Sequence, residues 1–196
     1  MTDNQRSAGT RFGRTIVSAV AGKAIDQQVH AVVYAANARG IMGAGTASAI
    51  RLAAGPEVER EAMAGAPHDL GTAFLTGAGN LTDRGIQSVI HAVIAPALGD
   101  SPRLHMIQRA VGAALRVADN ARVRNLAMPL LGLPSDADEQ ERGAMAEHVV
   151  DEVVAYLRRG TTRLEQIVIA AGLADEAAAV DAAIRRARER SWLSKP

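Results

Sequence analysis

Residues 29–55, VHAVVYAANARGIMGAGTASAIRLAAG, constrain this chain more than any other stretch. They read as an apolar strand, then Ala35-Ala36-Asn37, then a glycine-rich loop from Gly40 to Gly45, then a helix. Val29, Val32, Val33 and the nearby alanines form a nearly continuous apolar run, which suits a strand covered on both faces in a parallel sheet. Small residues after such a strand let a ligand approach the backbone closely. The helix that follows offers N–H groups and a positive dipole end, a recurrent cradle for a phosphorylated ligand. A plain tight loop would use the same residues, and the glycines alone do not separate the two readings.

The rest of the chain repeats the alternation. Strand patterns at 15–20, 72–76, 88–94, 125–130 and 164–170 are interleaved with helical patterns at 46–54, 57–64, 101–120, 136–159 and 175–190. Ser101 reads as an N-cap with Pro102 at the first helical position, and Leu104, Ile107, Val111, Leu115 and Ala118 recur at helical spacing. Gly77-Ala78-Gly79-Asn80 reads as a second flexible loop. Alternating strands and helices predict an α/β domain with helices on both faces of a mostly parallel sheet. A chain of 196 residues is most simply one domain, taken as 14–190, with a flexible lead-in at 1–13 and a short tail at 191–196.

Several function classes drop out. The chain has no cysteine, which removes disulfides, thiolate catalysis and cysteine-held zinc and makes the cytoplasm its expected compartment. The first residues lack the apolar core of a signal peptide, and no apolar run approaches the ~20 residues that span a bilayer, so no membrane is expected. A net charge of +1 gives no charge argument for nucleic acid. The histidines (His30, His68, His91, His105, His148) do not share an element at ligand spacing, so neither a metal nor a cofactor is expected. His91 alternates with Val89 and Val93 and reads as a hydrogen-bonded core histidine. Arg185, Arg186, Arg188 and Arg190 read as a solvated face near a helix C-terminus. Gly43-Ala44-Gly45-Thr46-Ala47-Ser48 approaches the dinucleotide fingerprint, but residues 37–42 separate it from its strand. Asp69, near the spacing of a ribose-binding acid, falls in a turn.

Taken together, the segments resemble the macrodomain family, whose members bind ADP-ribose. The resemblance is carried by Val32-Val33-Tyr34-Ala35-Ala36-Asn37, the Gly43 to Ile50 loop and helix start, and Ala53-Ala54-Gly55-Pro56. Gly71-Thr72-Ala73, Thr76 to Leu81, Val89-Ile90-His91-Ala92-Val93 and Ala127-Met128-Pro129 carry the rest. It implies a three-layer α/β/α fold around a central mixed, mostly parallel sheet, with the ligand over the C-terminal strand ends. It further implies that Asn37 bonds the distal ribose and that Gly43, Ala44, Gly45, Thr46 and Ala47 wrap ribose and phosphate. Gly132 and Leu133, in a second loop after Pro129, would close on the diphosphate, with Ala24 near the base. An asparagine has both donor and acceptor for a diol, and backbone N–H groups bind phosphate without added positive charge. Three positions depart from the family pattern. Lys23 stands where an Asp reads the adenine amine, Tyr34 where the first Asn of the strand motif falls, and Ala47 where hydrolytic members carry a carboxylate. The second loop is reduced to Leu131-Gly132-Leu133-Pro134-Ser135, in which the proline lacks an N–H. The resemblance implies a partner that is ADP-ribose or an ADP-ribosylated protein, with or without hydrolysis. The alternative is a scaffold of the same fold that has lost the nucleotide and works through protein contacts or another ligand.

Overall fold

Residues buried on both sides of the strands set the architecture of the computed structural model, which describes residues 8–160 and 162–193. The ends of the expected lead-in and tail, 1–7 and 194–196, lie outside the described residues. The strands are β1 (Thr10–Phe12), β2 (Thr15–Ala21), β3 (Ala31–Asn37), β4 (Ala73–Gly77), β5 (Ser88–Ala95), β6 (Asn125–Pro129) and β7 (Gln166–Ala171). The helices are α1 (Gly45–Ala54), α2 (Glu57–Ala64), α3 (Leu104–Asn120), α4 (Glu139–Arg158) and α5 (Ala174–Leu193). The strands form one sheet in the order β1-β2-β7-β6-β3-β5-β4. The inner five run parallel, while β1 and β4 are antiparallel edges on β2 and β5.

Alternation along the strands separates two apolar layers. Val33, Ile90, Met128 and Ile169 point to the face covered by α3, α4 and α5, where Ile107, Val150 and Ile184 meet them. Val32, Tyr34, Val89 and Val168 point to the face covered by α1, α2 and two 3-10 turns, against Ile50, Val58 and Leu81. This is the three-layer α/β/α arrangement with a mixed, mostly parallel sheet.

Four local expectations are corrected. Within the expected lead-in, Thr10–Phe12 pairs with β2 and buries Phe12. Ser101-Pro102 does not begin α3: the helix starts at Leu104 behind Arg103, which makes no capping bond. Helix α4 starts three residues later than expected because Asp138 and Glu141 form a reciprocal capping box. Gly79 and Asn80, expected in a flexible loop, instead begin a 3-10 helix that runs from Gly79 to Arg84.

His91 is fully buried in β5 and satisfied on both ring nitrogens. Nδ1 lies 2.7 Å from the Tyr34 hydroxyl and Nε2 lies 2.8 Å from Thr76 Oγ1. Thr76 in turn donates to the Gly77 carbonyl, so a neutral ring that donates from Nε2 and accepts at Nδ1 fits the whole chain of bonds. Burial, with His68 nearby, holds the His91 pKa down at about 3. Burial and the charge of Glu59 push the Tyr34 hydroxyl above its ordinary pKa. The ring bridges β3 and the edge strand β4, as a structural histidine does.

Candidate ligand-binding cleft

The parallel strands β2, β7, β6, β3 and β5 all end at one pole of the sheet, where open α/β sheets hold their ligands. The segments leaving those ends line two adjoining cavities. One, of about 500 Å³, lies between Asn37, Ile41, Ala44–Ala47 and the loop running from Leu130 to Leu133. The other, of about 320 Å³, is lined by Gly22, Lys23, Ala24, Ile25, Ala49 and Gly172. Gly45, Thr46 and Pro129 line both, so the two form one cleft that crosses the start of α1.

That helix start is uncapped. Ala44 occupies the N-cap in an extended conformation and has no side chain able to accept a bond, and the first turn contains no acid. Gly45, Thr46 and Ala47 line the cleft, and their N–H groups have no side-chain cap at the positive end of the helix dipole. Gly45 has φ 56°, a left-handed value that a residue with a Cβ adopts at a cost.

The opposing loop is fixed by Gly132. Its φ is 78°, and a Cβ there would sit 2.2 Å from Ile107 Cδ1 of α3. Only glycine lets the backbone lie this close to the helix, and the close approach holds Leu131 and Leu133 against the cleft.

Asn37 is buried at the end of β3, and its amide organises the loop beyond it. Nδ2 donates to the Ile41 carbonyl at 2.8 Å, while Oδ1 accepts from the Arg39 and Ile41 N–H groups at 3.1 and 3.3 Å. One amide hydrogen is left for a ligand. Glu59 of α2 supports the same loop from behind, accepting from the Met42 N–H at 2.6 Å.

Of the expected site residues, Asn37, Ala44, Gly45, Thr46, Ala47, Gly132 and Leu133 line the larger cavity and Ala24 the smaller. Gly43 lines neither; it packs under Leu98, whose Cδ2 would lie 2.8 Å from a Cβ at this position. Sequence reasoning missed Ile41, Leu98, Gly99 and Ser135 as lining residues and Glu59 as a support. The turn after β5 gave one signal, since every parallel strand must end at this pole. Lys23 is the charged side chain among the described residues lining the two cavities, and no carboxylate lines them. Among the described residues no cluster of His, Asp or Glu is placed to hold a metal ion.

A three-layer α/β/α domain with a cleft across the strand ends and an open helix start defines the class. Comparison with known proteins agrees. The family described as Macro domain matches residues 33–135, just over half of the chain. An uncharacterized protein of Aquifex aeolicus is 35% identical over 139 residues, which cover 70% of this chain and 80% of that one. A macro domain-containing protein of Caldanaerobacter subterraneus subsp. tengcongensis is 35% identical over 136 residues, 65% of this chain and 74% of its own. Among solved structures, the Oceanobacillus iheyensis macrodomain with ADP superposes with a TM-score of 0.76 at 16% identity, covering 94% of this chain and 98% of that one. The Trypanosoma brucei macrodomain in complex with ADP-ribose gives 0.72 at 22% identity, covering 86% and 68%. At these identities the structural likeness speaks for the fold. The chain belongs to the Macro domain family.

Proposed function

We propose that the cleft binds ADP-ribose or a related nucleoside diphosphate, free or attached to a protein. The observation that carries this reading is the uncapped start of α1, with Gly45–Ala47 presenting backbone N–H groups between two joined cavities. In this reading the diphosphate takes the place of the missing N-cap. One ribose lies toward Asn37 and Leu98, and the base enters the smaller cavity beside Ala24 and Ile25. Gly132 and Leu133 cover the phosphates from the other side. Two solved relatives of the fold carry ADP and ADP-ribose, which supports the same ligand class. The absence of cysteine fits work in the reducing cytoplasm, and no described helix is long and apolar enough to cross a membrane.

Binding rather than hydrolysis is the activity we infer. No carboxylate among the described lining residues stands ready to activate water. Any turnover of an ADP-ribosylated protein would rest on the ligand's own phosphate as base, with Asn37 holding the ribose. A time course of ADP-ribosyl release at the background rate is the expected result; release well above background would refute the binding-only reading. Titration calorimetry with ADP-ribose tests the binding itself. Saturable heat is expected. No heat at millimolar ligand would overturn the proposal and leave the scaffold reading in its place.

A further inference from the structure

The pole of the sheet opposite the cleft contains a second cavity, of about 410 Å³, with a different chemistry. It is lined by His30, Leu75, Gln87, Ser88 and residues 121–124, which include Arg122 and Arg124. Its floor is rigid, because His30 is stitched by its backbone to β6 and to the lead of β5. The His30 N–H donates to the Asn125 carbonyl at 2.9 Å, and its carbonyl accepts from the Gln87 N–H at 2.7 Å. No carboxylate lines the cavity among the described residues. The nearest paired acid, Glu165, meets Arg124 at 3.2 Å in a largely exposed contact, the kind that water and salt weaken readily. Among the described residues the side chains of His30, Gln87, Ser88 and Arg122 make no hydrogen bond or ion pair.

The second observation is conformational. Arg122 follows the C-cap of α3 and has φ 60°, the one described residue other than glycine with a positive φ. Its N–H donates to the Asp119 carbonyl at 3.0 Å, and the Val123 N–H donates to the Ala118 carbonyl at 2.9 Å. This is the six-to-one closure of a helix end, whose left-handed position normally belongs to glycine. A residue with a Cβ adopts that conformation at a cost, and among the described residues no side-chain bond of Arg122 offsets it. The left-handed turn brings Arg122 and Arg124 into the lining of one cavity with His30, Gln87 and Ser88.

We propose that this basal cavity is an anion site for a phosphate group, held by Arg122 and Arg124 with Gln87, Ser88 and His30 as further donors. It is distinct from the nucleotide cleft and does not depend on that reading. The test is an amide-resolved NMR titration with inorganic phosphate, against chloride at matched ionic strength. Saturable shifts are expected at the amides of Gln87, Ser88 and Arg122–Arg124. Arg122→Gly should weaken that binding about tenfold or more, since it removes a charge-assisted bond. The same variant relaxes the left-handed turn, so without phosphate it should melt about 2–4 °C higher. Three results would overturn the proposal. These are shifts confined to the cleft or matched by chloride, unchanged affinity in Arg122→Gly, and a lower melting temperature for that variant without phosphate.

Discussion

Helix α4 begins with Asp138, whose carboxylate accepts from the Glu141 N–H at 2.8 Å while Glu141 accepts from the Asp138 N–H at 2.9 Å. Helix α1 begins with Ala44, whose side chain can accept nothing, and with Gly45 in a left-handed conformation. The first helix start has Glu139 and Glu141 against its dipole; the second has no acid at all. Both belong to one domain, so the difference is not one of general stability. Helices α2 and α3 also start without a side-chain cap, so what separates α1 from α4 is both the missing cap and the place where its start opens. The start of α1 keeps its donors open where two cavities meet, and a ligand's phosphate can complete it.

The strongest way to break this contrast is to make α1 resemble α4. Ala44→Asp places a carboxylate at an extended N-cap, where it both satisfies the open N–H groups and repels phosphate. ADP-ribose affinity should fall about a hundredfold by calorimetry, while the melting temperature of the ligand-free protein rises by about 2–4 °C. If affinity survives, the open helix start is not the phosphate site.

His91 extends the comparison to a place where every polar atom is paired from within. Its folded pKa of about 3 lies below the unfolded value of about 6.5. The stabilisation is therefore complete above pH ~6.5 and is lost as pH falls toward 3, because the unfolded chain takes up the proton first. By pH 5 this one group should have removed about 2 kcal/mol. Urea denaturation at pH 7 and pH 5 measures it, and His91→Phe should flatten the difference by about that amount. Equal pH slopes in the two proteins would show that the ring is not held neutral.

The reverse change at the other helix sharpens the contrast further. Asp138→Ala opens the start of α4 and should cost about 1 kcal/mol in denaturant melts, with ADP-ribose affinity unchanged. The smallest expected effect is at the base end of the cleft. Lys23→Asp supplies an acceptor for an adenine amine at an exposed position and should raise ADP-ribose affinity about threefold in calorimetry. A fall instead would mean that Lys23 itself contacts the ligand.

The features legible in the sequence were those with local causes. The apolar run of β3, the small residues after it and the α1 helix follow from local pattern, and Asn37 and residues 44–47 line one cavity at the end of that strand. The features that were not legible depend on distant partners. Strand β1 is three residues long with one buried side chain, and only its pairing with β2 makes it a strand. Ser101 and Pro102 look like a helix start, yet Pro102 packs near Gly132 and the helix begins after it. Leu98 and Ser135 enter the cavity from connecting loops, whose course the periodicity of strands and helices does not describe. The reach of Glu59 back to the Met42 N–H likewise follows from how α2 lies behind the loop.

If the proposed binding holds, a ligand's phosphate caps α1. Amide-resolved NMR titration with ADP-ribose tests it most directly, because it reads both helix starts in one sample. Saturable shifts are expected at Gly45, Thr46 and Ala47 and across the cleft at Gly132 and Leu133, with Glu139 and Glu141 unmoved. Silence at Gly45–Ala47 with millimolar ADP-ribose, or equal shifts at the starts of α1 and α4, would contradict it.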